Sequence, residues 1–331
     1  MHNTHFRSWL VVTIWALILT GCATSPPQVR DDPPYVFSVT ETDTQATQYA
    51  PAFISSDYTK TYNRIGKPVA HINKEGTEHI SIDPTDPTFF GQQQDFQSIA
   101  GNQYRNLIYR VHFERVPYSL LPFHITAGKN GGLFIVITLN NQDEPVLITT
   151  VHTCGCYLAI IPTNFLPKEA MPINWNSDHQ SVYGEHLPGL LQFPTPFDPN
   201  NRPVIYLRDG THRIMDMKVR ELSQLKQEYR LIPSALKPMN SLKQLKLPNN
   251  ETTSFYHDAR RRQGYVKNAF KPFELLLMSW WAFDLNIGSD KELGNHHETG
   301  TVFYTSLKPW NRHESDMWNF ADFLSFWGWR L

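Results

Sequence analysis

The sequence predicts an α+β fold, with an antiparallel β-sheet core and helices from the C-terminal third packed on it. Three observations predict this. Leu107, Tyr109, Val111 and Phe113 alternate with Ile108, Arg110, His112 and Glu114, the period of two that a half-buried strand requires. Two further runs, 133–139 and 146–162, are apolar on both faces, as central strands are. Beyond Arg220 the apolar spacing becomes helical.

Residues 35–95 are rich in Thr and Gln and punctuated by proline. Only 69–72 and 79–82 read as short strands, so irregular or edge structure is expected there. The β-rich centre begins near Asn106. Residues 120–126 form a candidate strand, followed by the loop 127–132, the strand 133–139, the turn cluster 140–145 and the long run from Val146. If the last three strands form a meander, Leu139 stands opposite Val146 and Thr126 opposite Leu133. His152 then faces Leu133, and His124 faces Ile135 beside Thr150. This register puts His124, His152, Cys154 and Cys156 on one side of the sheet, with Cys154 and Cys156 past the end of their partner strand, level with Gly131 and Lys129. Residues 204–208 and 211–219 flank Asp209-Gly210, which predicts a hairpin with a type I′ turn.

In the C-terminal third, Leu222, Leu225 and Tyr229 predict a short helix ended by Pro233. Residues 237–250 are polar and proline-broken, and 254–262 have helical spacing. The run 272–283, with Trp280 and Trp281, is apolar nearly all round, which predicts a buried helix. The last helix is expected to start at Ser315 and stop at Gly328. Its polar stripe of Asp316, Asn319, Asp322 and Ser325 leaves a broad face of Met317, Phe320, Phe323, Leu324 and Trp327 for the sheet.

At the N-terminus His2, His5 and Arg7 precede an apolar segment, 9–19, that is too short to cross a bilayer as an ordinary helix. Leu19-Thr20-Gly21-Cys22 follows it and resembles the lipobox of bacterial lipoproteins. The resemblance covers only this first stretch. It implies a signal peptide at 1–21, cleavage before Cys22 and lipidation of that cysteine. With Ala23 next, it implies an outer-membrane anchor with the body in the periplasm. Residues 22–50 are then the lipidated N-terminus and a proline-rich tether, and 51–331 a single globular domain with no second linker of that kind. The membrane, reached through the anchor, is the one partner implied.

Composition narrows the classes further. The chain of 331 residues is 40% hydrophobic and only 18% charged, enough apolar residue for a large core, so it is not a disordered chain. A net charge of −1 gives no basic surface to neutralise phosphates, which argues against a nucleic-acid partner.

Once Cys22 is assigned to the anchor, Cys154 and Cys156 are the remaining cysteines, within His152-Thr153-Cys154-Gly155-Cys156. In an oxidising compartment a disulfide is the leading reading, and Gly155 lacks the Cβ that would resist so tight a bend. Two inert buried thiols are the bland alternative. A zinc or copper site could draw on His152, Cys154, Cys156 and His124. In a regular strand, however, His152 and Cys156 lie ~13 Å apart by rise alone, so a bulge at Gly155 is required. A thiol activated by His124 or His152, with Lys129 nearby, would make a cysteine-dependent hydrolase. The leading expectation is a non-enzymatic envelope or binding role, with a metal or thiol-redox protein as the competitor.

Other motifs carry less. Glu185-His186, His296-His297-Glu298 and His313-Glu314 do not complete His-Glu-x-x-His and read as solvated loops. Ser223-Gln224-Leu225-Lys226 and Ser234-Ala235-Leu236-Lys237 lack the partner motif of a penicillin-recognising enzyme. Arg260-Arg261-Arg262 would suit anionic headgroups or simply a solvated helix face.

Overall fold

The structure is a computed structural model and describes residues 34–259 and 261–331. The expected signal peptide, the lipobox and the tether up to Pro33 lie outside the described residues, as does Arg260.

The fold is α+β, built on one twelve-stranded sheet. Its strands are β1 (Tyr35–Val39), β2 (Ala52–Ser55), β3 (Ile65–Ile72), β4 (Glu78–Asp83), β5 (Thr88–Gln97), β6 (Gln103–Phe113), β7 (Gly132–Leu139), β8 (Pro145–His152), β9 (Ala159–Pro162), β10 (Asn201–Leu207), β11 (Ile214–Glu221) and β12 (Arg230–Pro238). The main order is β9-β8-β7-β6-β5-β12-β1-β2-β10-β11, and β3 pairs with both β6 and β4. The β-rich centre pairs antiparallel as expected. The sheet as a whole is mixed, because β12 lies parallel to both β1 and β5, and β10 parallel to β2.

The sheet curls around one core. Phe37, Phe53, Phe89, Tyr109, Ile135, Ile148, Ile205 and Met217 share it, although they come from both ends of the strand order. The opposite face of the central strands carries Ile108, Phe134, Val136 and Val151, and the C-terminal third covers it with Phe255, Phe303, Phe320 and Phe323. Period-two alternation produces this two-sided burial. Odd positions of β6 and β7 point inward and even positions outward.

Several expectations are corrected here. Residues 35–50 are not a tether: Tyr35–Val39 is β1, with Val36 and Phe37 fully buried between β12 and β2, and Gln45–Gln48 is a short helical turn. The segment 35–95, expected at an edge, supplies central strands because its partners arrive from far along the chain. The strand expected at 120–126 is absent apart from a Leu120–Phe123 bridge. Its place beside β7 goes to β6, with Tyr109 opposite Ile135, and Pro117 and Pro122 interrupt the segment between. The predicted pairing of His152 with Leu133 and Thr150 with Ile135 is observed, but Leu139 pairs with Pro145, and the register shifts between Pro145 and Leu147. The Asp209-Gly210 hairpin forms with a wider loop, closed where Arg208 N–H donates to Arg213 O, 2.9 Å.

Among the described residues three helices have seven residues or more: α1 (Leu222–Glu228), α2 (Pro272–Ala282) and α3 (Phe320–Phe326). Helix α1 matches expectation and buries Leu225. Pro233 does not merely follow it but lies inside β12, paired with Ser38. No helix forms over 254–259, where Tyr256 instead bridges to Val266. Helix α3 docks its aromatic face, with Phe320 edge-on to Phe96 at 5.2 Å. It starts later than expected, because the Ser315 hydroxyl is taken by the backbone N–H groups of Thr305 and Ser306. Helix α2 was expected to be buried, yet it buries only Glu274 and Ala282. Leu276 and Trp280 are each 73% exposed.

Candidate functional site

Strand β8 ends at His152, where the chain turns sharply. The Gly155 N–H donates to His152 O (2.8 Å) and the His152 N–H to Cys156 O (2.9 Å). Cys154 and Cys156 are joined as a disulfide, with Cα atoms 5.6 Å apart. Gly155 sits at φ +92°, and a Cβ there would lie 2.2 Å from Tyr304 O. Left-handed backbone and this close approach together demand glycine.

The turn rests on charges supplied by the C-terminal third. The fully buried Lys291 donates from Nζ to Cys154 O (2.6 Å) and stands 3.9 Å above the Tyr304 ring centre. Its backbone N–H donates to Thr153 O (2.8 Å), and the Thr153 hydroxyl donates to Asp290 Oδ1. Lys271 Nζ pairs with the same Asp290 oxygen at 3.2 Å. Two acceptors, Asp290 Oδ2 and Glu274 Oε2, are buried with no hydrogen-bond partner. Burial pushes Lys291 down to about 8, against the pull of Asp284 and Asp290. Burial also raises Glu274, opposed by Lys271 and reinforced by Asp290. Both shifts express the cost of holding charge away from water.

The predicted site residues separate. His152 continues the inward face of Ile148, with its ring edge-on to Tyr157 at 4.8 Å, while Cys154 turns toward the C-terminal third. Burial first, then Lys271 and His212, hold the His152 imidazole well below its ordinary value, and its Nε2 lacks a partner. His124 is tied through Nδ1 to Pro117 O at 2.9 Å and approaches Gly210. It does not stand opposite Ile135, because β6 holds that position. Lys129 is exposed, opposite Arg115, and its charge acts on His79. The predicted set of His152, Cys154, Cys156 and His124 is therefore replaced by Cys154, Cys156 and Glu274, whose ligand atoms all lie within 4.8 Å of one another. With the sulfurs bonded to each other, neither offers a thiolate as ligand or nucleophile.

Sequence reasoning missed Lys271, Glu274, Asp290 and Lys291, which lie more than a hundred residues beyond the turn. One signal was present: Glu274 is the single charge inside an apolar helix. Of the histidine clusters read as solvated loops, the His296 ring lies 3.9 Å from that of His297, tilted by 38°, and 5.9 Å from that of His313. Glu185 is buried, and Arg208 and Arg213 pair with it. A cavity of about 200 Å³, lined by Phe96, Ile99, Leu324 and Trp329 among others, involves none of the residues of the turn.

Comparison with protein-family models, with curated proteins and with solved structures finds no match.

Proposed function

We propose that the protein is a bacterial lipoprotein of the cell envelope, attached to the outer membrane through lipidated Cys22, with its body in the periplasm and a non-enzymatic envelope or binding role. The observation that carries this reading is the apolar segment ending in Leu19-Thr20-Gly21-Cys22. The joined Cys154 and Cys156 support it, since disulfides persist in oxidising compartments. A non-enzymatic role is supported by the side chains best suited to chemistry, which are tied up or buried: the thiols in a disulfide, His152 out of water, Lys291 on a carbonyl. The test is the mass of the protein purified from cell membranes, with a Cys22→Ser variant beside it. A chain starting at Cys22 with acyl groups attached, and loss of acylation in the variant, is expected. An unacylated chain, or one still carrying Met1, overturns the reading.

One observation favours a second reading, metal binding. Reduction of the disulfide would present two thiolates beside the Glu274 carboxylate, a donor set suited to zinc. Zinc retained stoichiometrically by the reduced protein, and lost on Glu274→Gln, would support it. Retention of no zinc would remove it.

A further inference from the structure

Helix α2 carries an apolar surface that none of the described residues covers. Leu276, Leu277, Trp280 and Trp281 are exposed along it, and Phe283 and Leu285 continue past its end at 77% and 83% exposure. A second segment extends the patch. Tyr118 and Phe123 pack on Phe273 at 5.7 and 5.1 Å, and Leu120 and Leu121 beside them are exposed. Phe270 adds another exposed ring just before the helix. Scattered apolar residues on a surface need no explanation, but a contiguous patch of this kind marks an interaction site.

The chemistry of the patch selects a bilayer surface as its occupant. Two tryptophans among leucine and phenylalanine are the side chains that settle at the boundary between acyl chains and headgroups. The eleven-residue helix is only ~16 Å long, so it would lie in the interface and not span it. The helix's one acid, Glu274, is buried, the segment 117–123 carries no charge, and Asp284, between Phe283 and Leu285, is turned in to the Tyr304 hydroxyl and Arg312 with its side chain 11% exposed. At the helix end the cations gather. Arg261 and Arg262 are exposed, with Arg261 O accepting from Asn286 Nδ2 at 3.3 Å, whereas Arg312 is spent within the fold, donating to Ala282 O at 2.5 Å and pairing with Asp284 at 3.9 Å. A bilayer would also be within reach. The twelve residue-to-residue steps from Cys22 to Pro34 extend at most ~40 Å, about twice the ~19 Å radius of gyration expected for a domain this size.

We infer that α2 and the 118–123 segment form a second, interfacial membrane contact, which lays the lipid-anchored domain on an anionic leaflet, with Trp280 and Trp281 immersed and Arg261 and Arg262 at the headgroups. This inference rests on the lipoprotein reading for the bilayer's proximity. Immersion of such a surface gains about 25 cal/mol for each Å² of apolar area removed from water. Basic side chains add roughly 1 kcal/mol each at an anionic surface, so the two arginines together favour docking by about thirtyfold.

The test uses the full chain from membranes, reconstituted into phosphatidylcholine vesicles with and without phosphatidylglycerol. An environment-sensitive fluorophore is placed at Leu277→Cys and, as a control outside the patch, at Lys226→Cys. The mass of each preparation reports acylation at Cys22 independently. Docking is expected to blue-shift the probe at 277 but not at 226, more with phosphatidylglycerol than without, and less so in Arg261→Gln/Arg262→Gln. An acylated protein whose 277 probe reports water overturns the membrane contact and leaves the anchor standing. An unacylated chain whose 277 probe shifts when vesicles are added supports the contact and removes the anchor. A blue shift already present without lipid, growing with protein concentration, would show a second copy on the patch and overturn the proposal.

Discussion

Lys291 tests whether the charges under the Cys154-Gly155-Cys156 turn stabilise the fold or are merely tolerated by it. Held near 8 in the fold and at 10.5 when unfolded, it keeps its proton less readily in the native state. A difference of that size corresponds to about 3 kcal/mol against the charged form at neutral pH. Lys291→Met removes this cost, fills similar volume, and leaves Cys154 O without its donor, a loss of about 1–3 kcal/mol. The two nearly cancel, so the variant is expected within about 2 kcal/mol of the parent at pH 7, on the stabilised side. The sign with pH follows from the direction of the shift. Between about 8 and 10.5 the unfolded chain binds the proton and the native chain does not, so native stability rises with pH across that window. Urea unfolding of both proteins from pH 7 to 9.5 reads the effect. The parent should gain on the variant as pH rises, and the difference cancels tyrosines common to both. A variant destabilised by more than ~3 kcal/mol at pH 7, the usual penalty for breaking a favourable buried pair, with no pH dependence in the difference, would refute the reasoning.

Three further outcomes are expected. Gly155→Ala places a Cβ 2.2 Å from Tyr304 O at φ +92°, so thermal unfolding should show a loss of about 3 kcal/mol or more, and an unchanged midpoint would mean that the turn and Tyr304 are not held together. Reducing the disulfide, or Cys154→Ala/Cys156→Ala, opens a loop of only three residues, worth about 1.5 kcal/mol of chain entropy; the midpoint should fall by a few degrees, and a collapse of the fold would show a larger structural role. Glu274→Gln keeps the shape but removes a carboxyl whose folded value is raised, and a raised carboxyl loses its stabilisation as pH climbs through that value. The variant should therefore gain on the parent from pH 4.5 toward neutrality in urea unfolding, and a relative loss over that range would contradict the cause given for the shift.

What the sequence showed about the fold was whatever periodicity within one segment encodes. β6, β7, β8 and the β10–β11 hairpin were legible because alternation and the Asp209-Gly210 turn are local signals. Even the facing of His152 against Leu133 followed from loop length alone. β1, β5 and β12 were not legible as central strands, because parallel pairing joins residues such as Phe37 and Ile232 that lie almost two hundred positions apart. Tyr35 to Val39 is too short to announce its own burial.

The same limit explains why the surroundings of helix α2 and of the Cys-Gly-Cys turn differ from the sequence reading. An apolar run signals that water is avoided, not what replaces it, so the 272–283 stretch read as a core helix when its Leu276 and Trp280 face outward. The Cys-Gly-Cys turn, read against nearby histidines, was matched to partners close in sequence, whereas its contacts, Lys291 and Tyr304, arrive with the chain that covers the outer face. Helix α2 joins the two sites, because Glu274 faces the disulfide from one side while Leu276, Leu277, Trp280 and Trp281 face solvent from the other. Glu274 is thus held out of water by an element whose outer face is apolar.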